Sequence, residues 1–233
     1  MGKLHLIGQL IRYNLKIIFA NKFIYFLLAA VGFFLMIAII SLFDPDAYPT
    51  EESAYYLMIL PGLLLIFYPS AFGIQNDVEN RTIELLFGIP NYRYKVWLVR
   101  LGIIYGVVYL ILLLIGLLSS LIFVPVPVFG MSFHLMFPIF FFGALGFMFS
   151  TLIRSGNGTA AVMVIIGLII WITSGIFEGS KWMVFLNPYD IPRDLNPGLW
   201  ADTIFYNRLY LFIGIVLAVL AGLFRLQKRE RFI

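Results

Sequence analysis

The chain has 233 residues, of which 62% are apolar, 18% aromatic and only 12% charged, with a formal net charge of +4. A soluble domain averages roughly 45 to 50% apolar and about 25% charged residues, so too few polar side chains exist here to coat a soluble globule, and most of the surface must face something other than water. That excludes a soluble enzyme, a nucleic-acid binder with a phosphate footprint and a disordered chain, and the absence of cysteine excludes disulfides, thiolate catalysis and Cys-based metal sites.

The first segment, residues 1–22, holds an amphipathic stretch from Lys3 to Ala20. At 100° per residue His5, Gln9, Arg12 and Lys16 fall within about 60° of one another, opposite Leu4, Ile7, Ile11, Leu15 and Ile18. No small-residue cleavage site follows a short apolar core, so the stretch reads as a helix lying along the inner membrane surface rather than a signal peptide. A helix needs roughly 20 apolar residues to cross a hydrocarbon layer about 30 Å thick. Six uncharged runs approach or exceed that length: Phe23 to Phe43, Tyr55 to Ile74, Leu101 to Val124, Phe133 to Ile153, Ala160 to Phe177 and Leu209 to Phe224. They are too long and too uniformly apolar for barrel strands. The predicted fold is an all-α integral membrane protein: a six-span domain over 23–226 behind an interfacial helix, with a basic tail at 227–233.

Between the spans, the polar segments alternate in character. The first loop is purely acidic, with Asp44, Asp46, Glu51 and Glu52, whereas the second carries Arg81, Arg93, Lys95 and Arg100. Grouping alternate segments places thirteen of the sixteen basic residues on one side. The positive-inside rule makes that side cytoplasmic and predicts both termini inside. Val124 to Ser132, with Pro125 and Pro127, reads as a short extended outer turn. Pro61 and Pro69 should bend the second span. The long outer segment Glu178 to Arg208 mixes Trp182, Phe185, Leu186 and Trp200 with Asn187-Pro188 and Asn196-Pro197, and is compatible with a surface loop or with half-helices at the interface.

As drawn, the six spans contain no Asp, Glu, Lys or Arg. An ion-coupled carrier usually keeps at least one intramembrane charge as its ion site, because such groups are costly and retained for function. The sequence also lacks a His-Glu-x-x-His zinc helix, a Gly-x-Ser-x-Gly elbow and a Gly-rich phosphate cradle ending in Lys, so no catalytic residue or ATP site is assigned to this chain, and any energy source must be a partner. His5 and His134 are isolated and read as structural or interfacial rather than metal ligands, and Glu51-Glu52 as a solvated pair. Gly102 and Gly106, and Gly214, Ala218 and Gly222, form small-residue stripes at helical spacing that should pack against other helices within or between subunits.

The second loop carries the most information. Asp77 and Glu79 precede an apolar cluster of Ile83, Leu85, Leu86 and Phe87, and Gly88 and Pro90 stop it. This pattern reads as a short cytoplasmic helix whose exposed apolar residues need a partner. The stretch resembles the loop between the second and third spans of ABC type-2 transporter permeases, the six-span subunits of many bacterial exporters. The matching residues are Glu79, Thr82, Glu84, Leu85, Leu86, Pro90 and Arg93, with Arg100 at a position where that family has Lys. Arg81 and Val99 depart from positions where the family usually has Gly. An amphipathic helix before the first span, both ends inside and a larger outer segment before the sixth span extend the likeness to the whole plan.

The resemblance implies a permease of the bacterial inner membrane that is not itself an enzyme. It would work as a pair, with a second copy or a homologous permease, and dock the loop-two coupling helix on two copies of an ATPase subunit that holds ATP and Mg. In that family the outer segment resembles re-entrant half-helices capping the exit, which Gly179 to Asp202 would match. A path lined by Phe, Tyr, Leu and small residues suits amphiphiles, lipid-linked molecules or apolar drugs better than bare ions. The residues alone leave open a nucleotide-independent carrier or channel, and a membrane enzyme using Glu51, Glu52 or His134.

Overall fold

The computed structural model describes residues 23–43, 48–79, 93–153, 155–192 and 195–226. The predicted interfacial helix and the basic tail lie outside the described residues. Among the described residues six helices carry the fold: α1 (Phe23–Phe43), α2 (Glu51–Glu79), α3 (Val99–Ile122) entered through a π-helical turn (Arg93–Leu98), α4 (Val128–Ile153), α5 (Gly156–Thr173) closed by a 3₁₀ turn (Ser174–Phe177), and α6 (Pro197–Arg225). Each is long and apolar enough to cross a membrane. No strand occurs among the described residues.

The starts of these helices follow from local chemistry. Ahead of α2, the Thr50 side chain accepts from the Ser53 amide at 3.1 Å while the Ser53 hydroxyl accepts from the Thr50 amide at 2.9 Å, a reciprocal cap. Glu51 and Glu52 then occupy the first turn, where carboxylates complement the helix dipole. Ser155 caps α5, and Asn196 caps α6 by accepting from Gly198, with Pro197 in the first turn. The extended connection between α3 and α4 is shorter than the sequence suggests, because α4 already begins at Val128. α2 continues across Pro61 and Pro69 as one helix.

α2 and α4 form the centre of the bundle and lie against each other. α1 and α3 flank α2, α6 lies along α4, and α5 touches both central helices. In α2, 67% of the most apolar window is buried, against 6% in α5, so α5 is almost entirely perimeter. The main core gathers Phe34 from α1, Tyr55, Met58 and Ile66 from α2, Leu112 and Ile115 from α3, and Met131, Leu135 and Ile139 from α4. Close approach of α2 and α4 depends on glycine: a Cβ at Gly143 would sit 2.6 Å from Ile66 Cγ1, and one at Gly146 would sit 2.8 Å from Ser70 Cβ. A second, smaller cluster of Ile74, Trp97, Leu101, Phe147, Leu223 and Leu226 ties four helices at one end. Alternating direction puts that cluster at the end where α2 stops and the π turn begins, while residues 48–50, 123–127, 178–192 and 195–196 share the opposite end.

Candidate functional site

At the first end, the described residues stop on either side of the predicted coupling stretch. Glu79 is the last residue of α2 and Arg93 opens the π turn, whereas Thr82, Glu84, Leu85, Leu86 and Pro90 lie outside the described residues. The two stems flanking that stretch are clamped. Arg100 donates from both terminal nitrogens to the two carboxylate oxygens of Asp77, Nη2 to Oδ1 at 3.3 Å, and both side chains are buried. The guanidinium also lies 4.9 Å from the Trp97 ring centroid, and Trp97 packs on Phe147. Planar two-point pairing with added stacking is the geometry in which arginine is not replaceable by lysine. Beside it the Gln75 side-chain oxygen accepts from the Gly156 amide, fixing the α4–α5 junction to α2. The Trp97 cluster extends this joint from α2 and α3 to α4 and α6.

At the opposite end a buried polar network holds the outer segment on the bundle. Arg208 of α6 donates from Nη2 to the Tyr55 hydroxyl at 3.1 Å and the Leu186 carbonyl at 2.9 Å, and from Nη1 to Asn207 Oδ1 at 2.9 Å. Asn207 donates to the carbonyls of Lys181 and Met183, Asn187 to that of Glu52, and the Trp200 indole to that of Pro188. Burial and the nearby Glu51 carboxylate push the Tyr189 phenol up to about 12, so it stays neutral. Between Gly179 and Asn196 the described chain forms turns rather than half-helices, and Pro197 to Asp202 belong to α6 itself. These side chains supply the hydrogen bonds that half-helices would otherwise have to make internally.

Two openings flank this network. One, of about 680 Å³, lies between the end of α5 and the outer segment and includes Tyr56, Glu178, Asn187, Asp190 and Trp200 in its wall. The other, also about 680 Å³, runs between α4 and α6 along Phe133, Phe137, Phe205 and Phe212, with His134 and Arg208 in its wall.

The predicted small-residue stripes divide. Gly222 packs on Phe147, Gly214 on Phe141, and Ala218 is buried, so the α6 stripe is an internal contact with α4. Gly102 and Gly106 meet nothing within 4 Å and face outward from α3. The sixth helix begins at Pro197 rather than Leu209, and this moves Arg208 from an outer loop into a helix. The second helix likewise runs to Glu79 and takes in Asp77. Charges absent from the six runs as drawn are thus present in the helices, Asp77 and Arg100 near helix ends and Arg208 about three turns inside α6. Asn196-Pro197 as a cap followed by a helix-compatible proline was the signal for the earlier start. Nothing in the sequence pairs Asp77 with Arg100. Glu51 and Glu52 sit in a helical first turn, His134 lies in α4, and no group of three potential metal ligands occurs among the described residues. Compared with known families, characterised proteins and solved structures, the chain matches none.

Proposed function

We propose that this chain is the permease subunit of an ATP-driven ABC exporter. It would form the membrane path with a second permease and be moved by a separate ATPase bound at residues 79–93. The observation that carries the reading is the loop-two pattern of Glu79, Thr82, Glu84, Leu85, Leu86, Pro90 and Arg93 set between the second and third of six apolar helices. The buried Asp77–Arg100 pair supports it, because a docking segment transmits force only if its stems are stiffly joined to the spans. An apolar bundle of this kind needs an external two-state engine to bias its inward and outward states, and nucleotide-driven closure of a partner supplies one. Purification in mild detergent tests the reading: an ATPase subunit should accompany the chain, and the isolated chain should neither bind nor hydrolyse ATP. Full transport by the chain alone in vesicles would overturn it.

A carrier that needs no nucleotide partner is the second reading. Arg208 favours it, since a buried cation inside an apolar helix is the kind of group such carriers retain.

A further inference from the structure

Arg208 is 6% exposed, and its three hydrogen-bond acceptors, Asn207 Oδ1, the Tyr55 hydroxyl and the Leu186 carbonyl, are all uncharged. Among the described residues no carboxylate lies within ion-pair distance of it, although the Asp77–Arg100 pair shows that this fold does neutralise its other buried arginine. Its Nε is buried with no hydrogen-bond partner, and the same holds for His134 Nδ1 on the facing helix. Arginine keeps its charge in any protein setting, and a buried cation without a counter-charge is costly in a bilayer. Tyr189, packed against His134, is held neutral and supplies no negative charge.

Both of these side chains line the α4–α6 groove. The rest of its wall is apolar, and Phe133, Phe205, Leu209 and Phe212 are each at least 40% exposed at the lateral surface of the bundle. The groove therefore opens on the lateral surface of the bundle. Arg208 stands about three turns from the N-terminus of α6, just above the uncharged run Leu209 to Phe224. That run spans about 24 Å, which sets Arg208 near one edge of a hydrocarbon layer about 30 Å thick.

We propose that this groove binds an anionic phospholipid of the adjacent leaflet, its phosphate neutralising Arg208 with His134 beside it and one acyl chain running inward along Phe137, Leu209 and Phe212. The charge supplied by the lipid is the one the protein leaves out, and the aromatic wall matches a tail rather than a small soluble anion. The inference needs only that the bundle lies in a bilayer and is independent of the permease reading.

The test uses the full chain purified in detergent, exposed separately to phosphatidylglycerol, phosphatidylcholine and inorganic phosphate, with retained lipid counted by native mass spectrometry and the unfolding temperature followed in parallel. One basic contact to an anionic headgroup predicts about fivefold preferential retention of phosphatidylglycerol over phosphatidylcholine, and no effect of inorganic phosphate. Arg208→Gln should abolish the preference and Arg208→Lys retain part of it. Because Arg208 also anchors the outer segment, Ala201→Trp provides the second arm: it fills the groove while leaving the Tyr55–Arg208–Leu186 bonds in place, and should remove the preference without lowering the lipid-free unfolding temperature. Equal retention of the two lipids by the unmodified chain, or an undiminished preference in folded Ala201→Trp, overturns the proposal.

Discussion

Asp77 and Arg100 are separated by 23 residues, yet they form the ion pair that joins the stems of α2 and α3. Removing one partner of such a pair leaves an unpaired charge in a dry site, whereas replacing both by apolar groups removes the cost of desolvation as well as the attraction. Arg100→Leu should therefore destabilise the chain by about 3 to 5 kcal/mol, and the double variant Asp77→Leu, Arg100→Leu by much less. Denaturant unfolding in detergent measures both, and additive losses in the double variant would contradict the paired description. A second residue-scale expectation concerns Leu85. If it is a buried anchor in an ATPase cleft, Leu85→Asp places a charge in that joint and should cost about 2 kcal/mol or more of association, with Glu84→Ala and Arg93→Ala milder. The variant should insert and express as the parent does. Co-purification yield is the readout, and unchanged ATPase recovery with Leu85→Asp would remove the assigned coupling role.

At the scale of elements, the same residue type serves opposite surfaces. Gly146 lets the α2 backbone approach α4, with Ser70 Cβ 2.8 Å from where its own Cβ would be, while Gly106 meets open space. Gly146→Leu should lower the unfolding stability by about 1 to 3 kcal/mol or prevent folding, because the added atoms meet a packed helix rather than a movable side-chain tip. Gly106→Leu should leave the monomer's unfolding unchanged, and any effect should appear in association between copies. Size-exclusion and unfolding measurements on the two variants separate these outcomes, and a large loss of monomer stability in Gly106→Leu would contradict its outward placement. Helix existence was readable along the sequence because uncharged runs of this length have few other solutions in a bilayer. Helix ends were less so. The first turn of α2 carries Glu51 and Glu52 and the second turn of α6 carries Asp202, polar residues that hydropathy places in loops but that follow a cap and a favourable helix start.

For the whole molecule, alternating helix direction groups residues 48–50, 123–127 and 178–192 at one end, and the positive-inside rule applied to Lys and Arg predicts that this end faces outward. Since the chain has no cysteine, single substitutions report without background. Cys at Glu52, Val128 or Asn196 should react with an impermeant thiol reagent on intact cells, and Cys at Arg81 or Lys228 should not. External labelling of Arg81→Cys would refute the six-span arrangement with both ends inside.

Composition and run length alone determined that this is a helical membrane protein of six apolar segments, because the cost of unpaired backbone in hydrocarbon leaves helices as the only structure for such runs. The loop-two pattern, the candidate coupling residues Glu79 to Arg93, was likewise legible only as sequence. Partner choice was decided by the tertiary structure. Asp77 meets Arg100, Arg208 meets Tyr55 and Leu186 with no counter-charge among the described residues, and the Gly214 stripe turns inward while Gly102 and Gly106 turn out. Helical periodicity says which residues share a face but not which neighbour that face meets. In a chain whose helices are apolar almost all round, only the three-dimensional packing distinguishes a face on protein from a face on lipid.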